Sequence, residues 1–99
     1  MPKYDCDMGD PLDMLVEECA EVIQEMMKVR RFGMDGTREW ARAGNDPPRK
    51  RLIQEIADVS VVIDVLLAKG VFTVEEFTAA RTKKKDRLLE LFGFSQVFV

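Results

Sequence analysis

The chain has 99 residues, of which 46% are hydrophobic and 33% charged, and its formal net charge is -3. This composition is typical of one folded globular domain, and the acidic balance gives no reason to expect a nucleic acid polymer as partner. The absence of histidine excludes histidine-based zinc sites and Ser–His or Cys–His nucleophile pairs, so carboxylates, lysines and arginines must carry any chemistry.

The first predicted helix begins at Asp10, a good N-cap residue, followed by Pro11 at the first helical position. Apolar residues then recur at helical spacing until Gly33, where we expect the helix to end. Glycines and prolines punctuate residues 33–48, which we interpret as an inserted loop with a short helix around Thr37–Ala43.

Two further helices are predicted after this insertion. One runs from about Arg49 to Lys69, and its length and apolar spacing favour helix over buried strand. The other starts with a capping box formed by Thr73 and Glu76 and continues to Gly93. An apolar tail, residues 94–99, is predicted to pack on the body or on a partner chain.

These elements predict an all-α fold, with residues 1–99 as a single domain. Its architecture would be a helical hairpin plus a third helix, of four-helix-bundle type completed by oligomerisation into a homodimer or homotetramer. The expectation of oligomerisation rests on the core helix, which is apolar on both sides, and on the small size of the chain.

Cysteine content and hydropathy predict where the protein resides. Cys6 and Cys19 are the only cysteines, so there is no disulfide framework of the kind found in small secreted domains. No run of about 18 apolar residues could cross a membrane, and the first residues lack the apolar core of a secretory signal. We therefore expect a cytoplasmic protein without a membrane partner.

Each long helix carries two carboxylates three residues apart. Glu18 and Glu21 lie on the first helix, and Glu55 and Asp58 lie on the second. Residues at positions i and i+3 share one side of a helix, so each pair points in one direction. Either pair alone is most simply interpreted as a solvated helix edge.

The apolar surroundings of these pairs favour a shared site. Glu18 is predicted to border the apolar stripe of its helix, whereas Glu17 and Glu25 are predicted to face solvent. Glu55 is predicted to lie beside the main stripe of the core helix, which consists of Leu52, Ile56, Val59, Ile63 and Leu66. Converging carboxylates repel unless a cation lies between them, and oxygen ligands without histidine or thiolate suit Mg²⁺ or Mn²⁺.

The two acidic segments resemble those of the MazG-like all-α nucleoside triphosphate pyrophosphohydrolases. The resemblance rests on Leu-Val-Glu-Glu-Cys-Ala-Glu-Val at 15–22 and Leu-Ile-Gln-Glu-Ile-Ala-Asp-Val at 52–59, and it extends from Leu12 to about Leu67. The end of the first helix, 28–33, is similar to short phage-like members. The related phosphoribosyl-ATP pyrophosphohydrolases carry a histidine after the second acidic pair, which this chain lacks.

The resemblance implies an activity and a set of ligands. The activity would be Mg²⁺-dependent hydrolysis of a nucleoside triphosphate, most simply a deoxynucleotide, at the α-phosphorus to give the monophosphate and pyrophosphate. Glu18, Glu21, Glu55 and Asp58 would be the metal ligands. Glu21 would also be the catalytic residue that orients or deprotonates the attacking water.

Four further residues are candidates for substrate binding. Lys28 and Arg31, at the end of the first helix, could reach the triphosphate, although cations are common at helix C-termini. Lys84, within a basic run, could contact phosphate, and Trp40 of the insertion could stack on a base or pack on a partner subunit.

Two other functions fit parts of the sequence. A non-catalytic helical oligomerisation or adaptor module would explain the apolar helices, with the acids merely solvating the helix edges. A di-iron carboxylate bundle would normally use Glu-x-x-His pairs, and the lack of histidine argues strongly against it.

Overall fold

A computed structural model of the chain describes residues 10–93, all of whose regular structure is helical. The four helices are α1 (Pro11–Phe32), α2 (Arg38–Arg42), α3 (Pro48–Ala68) and α4 (Val74–Phe92). This confirms the all-α prediction for the described part of the chain, whereas the predicted tail lies outside it. The helices fall into two compact units divided after Lys69, with α1 to α3 in the first and α4 in the second.

Local capping explains where α1 and α4 begin. The side chain of Asp10 accepts a hydrogen bond from the backbone N–H of Leu12 at 2.9 Å, and Pro11 takes the first helical position. The predicted capping box is present at α4, where the Thr73 N–H donates to Glu76 Oε1 at 2.9 Å and the Glu76 N–H donates to Thr73 Oγ1 at 3.1 Å. Both predicted starts are confirmed.

α1 and α3 pack against each other as an antiparallel hairpin. The chain turns back at the end of α1, where the backbone N–H of Arg49 donates to the carbonyl of Met34 at 2.9 Å. The predicted insertion forms this connection and contains α2. It is held to α1 by the rings of Phe32 and Trp40, whose centroids are 4.7 Å apart. Gly36 fits beneath the Trp40 ring, where a Cβ atom would approach Trp40 Cδ1 to 2.7 Å.

The packed face of each helix follows alternating spacings of three and four residues, as in a coiled-coil seam. In α1 this face consists of Pro11, Leu15, Glu18, Val22, Glu25, Val29 and Phe32, and Met14 and Lys28 beside it are half-buried as well. In α3 it consists of Pro48, Leu52, Glu55, Val59, Val62 and Leu66, and Ile63, Val65 and Leu67 beside it are half-buried as well. Three glutamates therefore occupy positions that a seam normally fills with apolar residues.

Two predictions about helix faces are wrong. Glu25, expected in solvent, is 4% exposed, and Ile56, expected in the main stripe, is 52% exposed. The reason is that α1 packs on the side of α3 that carries Glu55 and Val62, about 40–60° around the helix from the side that apolar spacing favours. Apolar residues on both sides of α3 made the two orientations hard to distinguish.

None of the helices within residues 10–93 is both long and apolar enough to cross a bilayer.

Candidate metal centre and adjoining cavity

Three of the four predicted metal ligands lie together between α1 and α3. Glu18, Glu21 and Glu55 each offer a carboxylate oxygen, and these oxygens all lie within 4.8 Å of one another. The spacing of three residues puts Glu18 and Glu21 on one side of α1, and the antiparallel packing brings Glu55 opposite them. We call these three residues the carboxylate cluster.

Asp58, the fourth predicted ligand, lies at the edge of this cluster. It follows Glu55 by three residues on α3, and its side chain is exposed. Its negative charge is close enough to raise the pKa of both Glu18 and Glu55. Asp58 therefore adds to the negative potential of the cluster, and its role as a direct ligand stays a prediction.

The cluster contains acceptor oxygens that the described residues do not satisfy. Glu18 Oε2 and Glu55 Oε2 are both buried without a hydrogen-bond partner. A buried carboxylate is costly unless it is paired, hydrogen-bonded or bound to a metal. The donor set consists only of carboxylate oxygens, so the residues fit a hard divalent cation such as Mg²⁺ or Mn²⁺.

Proximity of the carboxylates changes their proton affinity. A hydrogen bond with the Glu21 carboxyl group, burial, and the charges of Glu21, Asp58 and Glu18 raise the pKa of Glu55 from 4.5 to about 7. Burial, followed by the charges of Glu21, Asp58 and Glu17, also raises the pKa of Glu18. The metal-free cluster therefore takes up a proton more readily than isolated carboxylates do.

This arrangement predicts how the stability of the metal-free protein depends on pH. Because the folded chain binds the Glu55 proton more tightly than the unfolded chain, its stability should fall as pH rises from about 4.5 to about 7. Thermal unfolding in excess chelator across this range would measure the loss. Glu55→Gln, which cannot ionise there, should show a smaller fall, and equal pH profiles for the two proteins would contradict the prediction.

A cavity of about 310 Å³ lies one helical turn beyond the cluster. Its walls come from Glu25 and Lys28 of α1, Trp40 of α2, the segment 44–46 and Arg51 of α3. Glu25 follows Glu21 by four residues and Arg51 precedes Glu55 by four, so both helices lead from the cluster into this cavity.

Glu25 is the functional candidate that the sequence interpretation missed. Its carboxylate Oε1 accepts a hydrogen bond from Lys28 Nζ at 3.1 Å, and its Oε2 is buried without a partner. The signal was available in the spacing, since Glu25 lies seven residues after Glu18, one full heptad along the same face.

The predicted substrate-binding residues are found in different places. Lys28 and Trp40 both line the cavity. Arg31 is exposed and does not line it; its guanidinium carbon lies 5.7 Å from the centroid of the Phe32 ring. Lys84 belongs to the second compact unit, where it lines a small groove on α4.

The hairpin also has an apolar face, which we define by Cys19, Val22, Ile23, Ile56 and Val59. These residues line an open groove of about 280 Å³ between α1 and α3. Ile23 and Ile56 are 64% and 52% exposed. Helical projection puts Ile23 and Ile56 about 160° from Glu21 and Asp58 on their respective helices, whereas Val22 and Val59 lie about 40° from Glu18 and Glu55. The groove therefore borders the buried carboxylates and opens away from the exposed Glu21 and Asp58.

The site therefore combines a group of converging carboxylates with a neighbouring cavity that contains both charge signs and an aromatic ring. Carboxylates arranged in this way can hold a divalent cation, and a cation held there can bind the phosphates of a nucleotide. Comparison of the chain with protein-family models, with curated proteins and with solved structures gives no match.

Proposed function

We propose that this protein is a Mg²⁺-dependent nucleoside triphosphate pyrophosphohydrolase, with deoxynucleoside triphosphates as its preferred substrates. The observation that carries the proposal is the convergence of Glu18, Glu21 and Glu55 from two helices to within 4.8 Å. Carboxylates that merely solvated the edges of their helices would have no reason to converge from two helices, with Glu18 and Glu55 in the packed face of the hairpin.

Three features of the chain support this class of reaction. The ligand set is all oxygen, which suits Mg²⁺, a cation that commonly bridges protein carboxylates and substrate phosphates. The segments 15–22 and 52–59 resemble the acidic motifs of MazG-like enzymes. A cavity large enough for part of a nucleotide adjoins the cluster.

The four carboxylates would bind the metal ion, and one of them would also accept a proton. Mg²⁺ would be held by Glu18, Glu21, Glu55 and Asp58, and when bound it would neutralise charge on the phosphate oxygens and orient the nucleotide. Glu21, an exposed carboxylate beside the buried ones, would also take a proton from the attacking water. The water oxygen forms a bond to the α-phosphorus while the bond to the α–β bridging oxygen breaks, and pyrophosphate leaves.

Residues that line the cavity would make the main contacts with the substrate. Lys28 and Trp40 are the predicted binding residues that line it. Arg31 remains a candidate for contact with the outer phosphates, which extend away from the reacting phosphorus, and a role of Lys84 in substrate binding stays a prediction.

We further propose that a second copy of the chain covers the apolar face and completes a four-helix bundle. The exposed isoleucines of that face lie about 160° around their helices from Glu21 and Asp58, so association would leave these two exposed carboxylates accessible. A homodimer of this kind, or a homotetramer built from it, would place one cluster in each hairpin.

The activity is tested by incubating the protein with a panel of ribo- and deoxynucleoside triphosphates, with Mg²⁺ or with chelator. We expect pyrophosphate and the monophosphate as products only with Mg²⁺, and isotopically labelled water should put its oxygen into the monophosphate. Glu21→Gln and Asp58→Asn should each reduce turnover by at least about 100-fold while remaining helical, because each alters a group at the reacting centre.

Asp64→Asn is the matched control for charge, since Asp64 is an exposed carboxylate on α3 outside the cluster. It should retain the wild-type rate. No release of pyrophosphate from any nucleotide, together with no thermal shift on adding Mg²⁺, would reject the enzyme and favour the adaptor module instead.

A further inference from the structure

The cavity beside the carboxylate cluster differs from the cluster in its charge. Glu25 and Asp46 contribute two negative charges, and Lys28 and Arg51 contribute two positive ones. A balanced set of charges does not concentrate a highly charged anion such as pyrophosphate. The volume of about 310 Å³ is within the range of sites for small organic molecules, roughly 300–1,000 Å³.

Glu25 needs an explanation beyond packing. Only 5% of its side chain is exposed, and its Oε2 has no hydrogen-bond partner although Oε1 accepts from Lys28. The equivalent positions one turn before and after it on the packed face are Val22 and Val29, and an apolar residue would fill this position without such a cost. A carboxylate kept in this position has spare acceptor capacity for a ligand.

Lys28 and Trp40 complement this acceptor. The Lys28 ammonium has three N–H donors, of which Glu25 accepts one. Trp40 supplies an aromatic wall, and its position is fixed because its Nε1 donates to the carbonyl of Asp46 at 2.6 Å. An acceptor, a donor and an aromatic surface match a nucleobase, which presents both donors and acceptors on the edge of a flat ring.

We propose that this cavity holds the nucleoside part of the substrate, and that Glu25, acting together with Lys28, determines which base it accepts. This inference rests on the proposed function, because it takes the triphosphate to lie on the carboxylate cluster next to the cavity. Pyrophosphate would then extend away from the cavity. Glu25 is a specificity-determining residue and takes no part in the bond-breaking step.

Trp40 provides a direct test, because it is the only tryptophan in the chain. The four neutral deoxynucleosides are titrated into the full-length, metal-free protein while tryptophan fluorescence is recorded. We expect saturable changes that differ among the bases, and no change with inorganic pyrophosphate. In Glu25→Gln the ratio between the dissociation constants of the weakest-bound and the tightest-bound nucleoside should change by about tenfold. This is the scale of one hydrogen bond to a charged group.

Two variants distinguish a role of Glu25 in base selection from a general loss of folding. Glu39→Gln makes the same chemical change at an exposed glutamate next to Trp40 that does not line the cavity, and it should keep the wild-type order of bases. If Glu25→Gln alone is poorly folded, the double variant Glu25→Gln/Lys28→Met removes both partners of the ion pair, and it should show the same altered order.

Two results would overturn the inference. One is a fluorescence response to pyrophosphate without a response to any nucleoside, which would make the cavity a phosphate site. The other is an equal loss of affinity for all four bases in Glu25→Gln. Nucleoside binding with the expected change in order, in a protein that cleaves no triphosphate, would uphold this inference while rejecting the proposed function.

Discussion

Glu55→Gln should abolish Mg²⁺ binding and, at the same time, make the metal-free protein more stable at pH 8. The amide removes a ligand, and pyrophosphate release should fall at least about 100-fold, because even outer-shell partners of a metal are typically worth about 10- to 100-fold. The amide also removes a negative charge from a buried position beside Glu21, Asp58 and Glu18. A hydrogen bond with Glu21, burial and these charges together raise the pKa of Glu55 to about 7.

Thermal unfolding measures both effects. In chelator at pH 8 the variant should melt several degrees above the wild type, and at pH 5 the difference should shrink because Glu55 is then protonated in the folded wild type. Saturating Mg²⁺ should raise the melting temperature of the wild type and leave that of Glu55→Gln unchanged. Asp64→Asn, the same change outside the cluster, should behave as wild type. A variant that still gains stability from Mg²⁺ would show that Glu55 is not a ligand.

Ile56→Lys should convert the proposed oligomer into monomers. Ile56 is 52% exposed on the apolar face, and a second copy covering that face would bury an unpaired ammonium group in the variant. A penalty of about 3 kcal/mol or more, typical of an uncompensated buried charge, raises the dissociation constant by at least roughly 100-fold. Sedimentation at micromolar concentration should show the change, with helix content unaltered.

Val61→Lys is the matched control for this prediction. Val61 is 58% exposed on the same helix, but it lies about 140° around the axis from Ile56 and does not line the apolar groove. It should leave the oligomer intact, whereas Ile23→Lys, on the other helix of the face, should dissociate it. A wild type that is monomeric at this concentration would contradict the proposal outright.

Local features of the fold were predictable from the sequence because short-range chemistry determines them. Asp10 and Pro11 begin a helix whatever it packs against, and Thr73 with Glu76 forms a capping box within four residues. The proximity of Glu18 and Glu55 was also predictable, because each was expected to border the apolar stripe through which its helix packs.

The packed side of α3 was not predictable, because it depends on the choice between two apolar faces that differ little in hydrophobicity. The apolar spacing predicted that Ile56 lies on the packed side, whereas the structure has Glu55 and Val62 there. Glu25 was missed for a related reason. A glutamate is ordinarily expected in solvent, and only the packing of α3 against α1 shows that Glu25 is buried.

The connection between α1 and α3 decides which residues face Glu55. Glu18 and Glu25 are seven residues apart on one face, and so are Glu21 and Lys28. Sliding α1 by one heptad, about 10.5 Å at 1.5 Å per residue, would replace the carboxylates opposite Glu55 with the Glu25–Lys28 pair.

Without a cation, that alternative register would replace repulsion by an ion pair with Lys28. It would also break the hydrogen bond between Arg49 and Met34 and pull Phe32 away from Trp40. The inserted segment thus fixes the register of the hairpin. Of the two registers, it holds α1 and α3 in the one that brings like charges together and that a bound cation would stabilise.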